Sequence, residues 1–213
     1  MKYNIYNINV SIMSYLVLPF VKLVKILAYF INKCRYRSIH FDTYIEECIR
    51  ITPECISFSK GCSVLKNARI EGVFKYNEKK YNPNIEFGEN VTIQQGIHLT
   101  CANHIKICAN TVIAAYVTIT DINHPYEDIN NSRLDLEVKE VYIGERCQIY
   151  NGAVILPGVK LGNHVIVGAN TVVNKSIPDN SVVVGSPARI IKRFNPQSSK
   201  WEKTDKDGNY LTN

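Results

Sequence analysis

Between Ile143 and Asn174 an aliphatic residue returns at every sixth position: Ile143, Ile149, Ile155, Leu161, Val167 and Val173. Four residues after each comes a small or branched one, Cys147, Ala153, Val159, Val165, Thr171 and Ile177. A period of six matches neither an amphipathic helix, with returns at three and four, nor an ordinary strand, with returns at two. It predicts an all-β solenoid in which each hexad is a short strand plus its corner. Three hexads then close a triangular coil, with the aliphatic side chains filling the prism axis. Chemistry must sit on the outer wall or on a loop that interrupts it.

The frame extends upstream through Phe58, Val64 and Ile70, then Phe87, Ile93 and Leu99, and after a two-residue slip through Ile107, Ile113 and Ile119. Three hexads per coil predict about five coils, stacked at about 4.8 Å. Two segments break the beat, Gly72 to Asn84 and Asp121 to Tyr142. Long insertions in a solenoid gather on one face and carry function.

The apolar run Ser14 to Ile31 differs in kind. It predicts a helix with Lys22, Lys25, Tyr29 and Lys33 along one side, too interrupted by lysine to span a bilayer and without a signal-peptide cleavage site. Two roles stay open: a cap over the open end of the solenoid, or an interfacial helix giving peripheral membrane contact. The predicted organisation is a helical cap over residues 1–54, a solenoid over 55–190 with its insert loop at 121–142, and a polar tail over 191–213.

Composition adds exclusions. The formal charge of +6 reads as dispersed, apart from Lys175, Arg189, Lys192 and Arg193. Basic and aromatic residues do not interleave as in a nucleic-acid surface. Seven cysteines lack C-x-x-C pairs or histidine partners at metal spacing, so no metal is expected. Cys62 and Cys147 occupy inward positions and read as reduced core residues, which points to a reducing, cytoplasmic setting.

Three motifs together, the hexads from Ile143 to Asn174, TDINHPYED from Thr120 to Asp128 and VVVGSPARIIKR from Val182 to Arg193, resemble the hexapeptide-repeat acyltransferases, and among them the sugar and surface-polysaccharide O-acetyltransferases. The resemblance covers about residues 55 to 193. It implies a left-handed parallel β-helix, acetyl-CoA as donor, and a homotrimer with active sites between subunits. The left hand comes from the resemblance alone, since connection rules favour the opposite one.

The resemblance assigns the general base to His124, within Asn123-His124-Pro125. A sugar hydroxyl is a poor nucleophile at neutral pH, and an imidazole can take its proton as it attacks a thioester. Pro125 biases His124 toward extended backbone. Asp121, Glu127 or a backbone carbonyl would hold the second ring nitrogen. The donor positions implied are Asn151, Gly152, Ala169, Asn174 and Lys175, then Arg189 and Lys192 for the nucleotide phosphates. Small residues allow close backbone approach, and cations pair with phosphate. Many relatives carry Trp-Ile-Gly where this chain has Gln148, Ile149 and Tyr150, so the pantetheine wall is altered.

For the acceptor, galactoside-type relatives use an amide and a carboxylate whose matching positions here are Gln94 and Ala102. Gln94 retains the amide; Ala102 lacks the carboxylate, which points to another sugar or a longer glycan. Tyr116 and Asp121 join Gln94 as candidate acceptor contacts, with His98, His104, Asn103 and Tyr81 in reach by repeat phase. His98 and His104, six apart, are expected at equivalent corners of successive hexads. The leading expectation is O-acetylation of a sugar in a capsule, O-antigen or related glycan. The alternatives are acetylation of a small acceptor (amino sugar, serine or antibiotic), a γ-type carbonic anhydrase, whose histidine pair five apart this chain lacks, and a purely structural solenoid.

Overall fold

The computed structural model describes residues 26–130, 134–205 and 208–211. Its three-sided prism is built from short parallel strands. Wall A stacks Ser38–Ile39, Ile56–Phe58, Asn84–Phe87, His104–Ile107, Val141–Ile143 and Lys160–Leu161. Wall B stacks Tyr44–Ile45, Ser63–Val64, Thr92–Ile93, Val112–Ile113, Gln148–Ile149, Ile166–Val167 and Ser181–Val184. Wall C stacks Arg50–Ile51, Arg69–Gly72, His98–Cys101, Thr118–Thr120, Val154–Ile155 and Val172–Val173.

The register explains the hexads. On wall C, Ile51, Ile70, Leu99, Ile119, Ile155 and Val173 pair in one column, and all but Ile51 are fully buried. Each such side chain contributes about 1.5–3 kcal/mol by leaving water. On wall A the column includes Phe58 stacked on Phe87 at 4.7 Å and 10°. The companion residues Cys147, Ala153, Val159, Val165 and Thr171 are buried as well, so both hexad positions face inward. Tight corners supply the turns. A Cβ on Gly144 would stand 2.4 Å from the Gly162 carbonyl oxygen, closer than any side chain tolerates, because neighbouring coils touch there through backbone.

The structure revises three expectations. Walls A and C carry six strands each, so there are six coils rather than five. The first begins at Ser38, inside the segment assigned to the cap. Ile39, Ile45 and Ile51 keep the six-residue beat, but the turn at Pro53–Cys55 shifts the frame by one before Phe58 and hides the continuity. The polar tail assigned to 191–213 is also not separate from the solenoid. Arg189–Asn195 pairs antiparallel with Ser181–Val184, and Lys200–Lys203 pairs with it in turn, extending wall B. Residues 26–35 are helical, and the following Tyr36 is buried against Phe58, closing the end of the prism. Most of the Ser14 to Ile31 run, with Lys22 and Lys25, lies outside the described residues. Among those described, no helix is long and apolar enough to cross a membrane.

All seven cysteines are free. Burial pushes the thiols of Cys55 and Cys147 up to about 11, so they stay protonated and unreactive at neutral pH. A thiol reagent added to the folded protein is expected to label exposed Cys34 quickly, Cys48 and Cys108 slowly, and Cys55, Cys62, Cys101 and Cys147 only after unfolding. Mass spectrometry of the time course checks this order; early labelling of Cys147 would contradict the packing.

Candidate active site

Both insertions leave the prism at the same corner, where wall C turns into wall A. The longer one departs at Asp121, immediately after the strand Thr118–Thr120. Asp121 is fully buried, and its carboxylate accepts the backbone N–H groups of Ala102 at 2.8 Å and Asn103 at 2.7 Å and the Cys101 thiol at 3.3 Å. It clamps the loop root to the coil above. The loop then forms a two-stranded stem, Ile122–Asn123 antiparallel to Glu137–Val138. Lys139 at 2.8 Å and the Asn123 amide at 3.1 Å hold the Glu137 carboxyl below its usual range.

The shorter insertion makes a hairpin, Lys75–Tyr76 with Lys79–Lys80, that leans on the loop. The Leu136 N–H donates to the Tyr81 hydroxyl at 2.9 Å. Tyr76 meets His124 edge to face, with ring centroids 5.5 Å apart. An isolated two-stranded hairpin is marginal in water, so each insertion supports the other.

Beneath them lies a groove of about 430 Å³ on wall C. Its floor is polar: Glu71, Thr100, Thr118, Thr120, His98 and Arg69. The Thr100 hydroxyl donates to that of Thr120 at 3.0 Å. Glu71 is held by Arg50 at 2.9 Å and Arg69 at 2.6 Å. Val73, Tyr76, Ile122 and Leu136 form the lip together with His124, whose side chain is exposed. Among the described residues its ring nitrogens have no hydrogen-bond partner. Neither proposed carboxylate orients it: Asp121 is committed to backbone amides, and Glu127 accepts the Tyr126 N–H at 2.9 Å. The Tyr76 ring positions it instead.

Comparison with known proteins fits this architecture. Residues 140–175 match the family described as bacterial transferase hexapeptide (six repeats), the stretch in which the hexads run unbroken. In that stretch the chain is similar to the hexapeptide-repeat transferases. This hexapeptide-repeat protein is 38% identical to WbbJ of Escherichia coli K12, provisionally named a lipopolysaccharide biosynthesis O-acetyl transferase, over 56% of this chain and 65% of that one. It is 30% identical to a galactoside O-acetyltransferase of Lactococcus lactis, over 55% and 56%. It therefore spans less than two thirds of the length of either relative. A structure of AntD, an N-acyltransferase from Bacillus cereus solved with dTDP and coenzyme A, superposes with a TM-score of 0.66 at 18% identity, covering 80% of this chain and 91% of AntD. The fold is a left-handed parallel β-helix.

In the hexapeptide-repeat frame the donor candidates fall on both margins of wall C. Asn151, Gly152 and Ala169 share the corner where wall B turns into wall C. Gly152 has a φ of +69°, and a Cβ there would meet the Asn170 side chain, so corner geometry already accounts for the glycine. Asn174 and Lys175 follow Val172–Val173 at the opposite corner, the one from which the His124 loop departs two coils above. The four cations do not form one cluster. Arg189 pairs with Val184 at the end of the wall B extension that borders wall C, and Lys192 with Val182 on wall B itself, so neither shares the corner of Lys175, because the chain turns through a further partial coil between them. Tyr150, in place of the usual glycine, is half exposed and donates to Gln148 at 3.2 Å.

The acceptor candidates divide. Asp121 is corrected: with no exposed surface it cannot touch a substrate. Gln94 and Tyr116 lie on the wall B to wall C corner rather than in the groove; Tyr116 has a φ of +60° and shields Gly96. Ala102 is buried. His98 and His104 sit on strands of different walls, not at equivalent corners, and only His98 reaches the groove. His104 instead bonds Glu86 at 3.0 Å on wall A. Glu71, Arg69 and the three threonines were missed. Their signal was the outward position of each wall C hexad, readable only once the coils are in register. Among the described residues no group of three or more histidine, cysteine or acidic side chains is placed to hold a metal.

Proposed function

We propose that this protein is an acetyltransferase that moves an acetyl group from acetyl-CoA to a hydroxyl of a sugar in a surface polysaccharide, with His124 as general base. The observation that carries the reading is an exposed imidazole, without a hydrogen-bond partner among the described residues, at the lip of a groove floored by hydroxyls, a carboxylate and a second imidazole. Such a floor matches a polyol, which needs both donors and acceptors. The names of the relatives, lipopolysaccharide and galactoside O-acetyl transfer, support the acceptor class.

The acceptor hydroxyl would give its proton to His124 as its oxygen bonds the thioester carbonyl carbon. Collapse of the tetrahedral intermediate breaks the carbon–sulfur bond, and the imidazolium returns the proton to the departing thiolate. Coenzyme A would lie along the lower coils of wall C, beside Asn151, Gly152 and Ala169. Lys175 at one margin, Arg189 at the other and Lys192 on the adjoining wall B are its candidate phosphate partners. A single wall covers only one side of such a ligand, so the reading includes a homotrimer whose neighbouring protomer completes the site. Glu71 would accept from sugar hydroxyls while its ion pairs with Arg50 and Arg69 fix its carboxylate in place.

Incubation with labelled acetyl-CoA and a panel of free and lipid-linked glycans tests the acceptor. Label in an ester on a glycan is the expected result. Label confined to amines of amino sugars, or to small acceptors, would sink it. Glu71→Ala is expected to raise the acceptor KM about tenfold or more, since bonds to a charged group are worth ~1.5–3 kcal/mol, and to leave coenzyme A affinity unchanged; isothermal titration and initial rates separate the two.

A further inference from the structure

The helix over residues 26–35 packs against the protein through its less apolar side. Tyr29, Asn32 and Tyr36, at i, i+3 and i+7, face the first coil: Tyr29 and Asn32 are half-buried, Tyr36 is buried, and Tyr29 meets Phe41 edge to face at 5.4 Å. The apolar stripe points the other way. Ile26, Leu27, Phe30 and Ile31 are 41%, 55%, 58% and 61% exposed. A surface helix ordinarily hides this face, and contiguous exposed apolar patches mark interaction sites.

Charge indicates what covers the patch. Lys2, Lys22, Lys25, Lys33, Arg35 and Arg37 are six of the 25 lysine and arginine residues, and none of the 19 acidic residues precedes Asp42. The whole formal charge of +6 therefore belongs to residues 1–41, and the rest of the chain is balanced. This corrects the reading of a dispersed basic excess. Lys33 and Arg35 lie on the helix at either border of the apolar stripe, and all three basic residues from Lys33 to Arg37 are exposed. Apolar side chains flanked by cations, with no acid between, match the boundary between acyl chains and anionic headgroups.

We infer that residues 26–37 form a docking surface for an anionic lipid membrane, with Ile26, Leu27, Phe30 and Ile31 entering the acyl boundary and Lys33, Arg35 and Arg37 at the headgroups. The inference stands apart from the catalytic reading. Where that reading also holds, the groove begins at the second coil, on the order of 5–10 Å from this end of the prism, within reach of a glycan anchored in the same membrane.

Sedimentation with vesicles tests it on the full chain. Vesicles of phosphatidylcholine with added phosphatidylglycerol should pull the protein down, and phosphatidylcholine alone should do so much less. The exposed-residue pair Leu27→Ser with Phe30→Ser should weaken binding about tenfold or more. Lys33→Gln and Arg35→Gln should each weaken it about fivefold at low salt, with little effect at high salt. All these variants should keep the parent melting temperature and acetyl transfer to a soluble acceptor. Absence of vesicle binding would overturn the inference. Should the serine pair then lower the solution mass, a second copy of the chain covers the patch; with the mass unchanged, residues 1–25 cover it. Binding that ignores the serine pair would overturn it as well.

Discussion

His124→Ala is expected to lower kcat by roughly 10² to 10⁴ and to leave coenzyme A affinity close to that of the parent. The side chain is exposed at the groove lip and bears on no buried group, so truncation removes a proton acceptor without opening a cavity. The fall should therefore appear in turnover, with unchanged melting behaviour. Tyr76→Ala should give a smaller loss in kcat, because it removes only the edge contact at 5.5 Å that fixes the ring. Recovery of part of the His124→Ala activity by added imidazole would support the role. Full activity of His124→Ala in steady-state assays would refute it and move the search for a base to His98, the other imidazole in the groove.

Asp121→Ala is expected to be the most damaging change outside the prism axis, costing about 2–5 kcal/mol. The buried N–H group of Ala102 and the half-buried one of Asn103 lose their acceptor, and no water replaces it at Ala102 without a cavity lined by polar atoms. Asp121→Asn keeps one acceptor oxygen, so it should cost roughly half as much. Because the same carboxylate pins the root of the loop that carries His124, kcat should fall in both variants even at temperatures where they are fully folded. Urea titration together with steady-state kinetics reads both effects. Normal kcat in a folded Asp121→Ala protein would mean that the stem and the Tyr81–Leu136 contact suffice to place the loop.

Asp121 also shows where sequence reasoning stops. As a carboxylate two residues before Asn123-His124-Pro125, it reads naturally as a partner for the imidazole or for a sugar. Its actual partners lie 18 to 20 residues earlier in the chain, one coil above. In a solenoid every residue touches the coil before and the coil after, and those contacts carry no local sequence signature. Glu71 illustrates the converse: an ordinary charged residue in sequence becomes part of the groove floor because Thr100 stacks on it in register.

From the sequence alone came the prism and its period, because burying one side chain per hexad leaves an imprint that no helix or ordinary strand can imitate. It also marked the two interruptions and the histidine on the longer one. The net charge of residues 1–41 was equally countable. Only the folded chain decided that both interruptions exit at one corner and brace each other, that the outward hydroxyls beneath them line up into a groove, that Lys175 and Arg189 fall on opposite margins of wall C, and that the terminal helix turns its apolar stripe to solvent. Inward positions are legible because water excludes them with a fixed rhythm, whereas outward positions acquire meaning only from neighbours a full coil away.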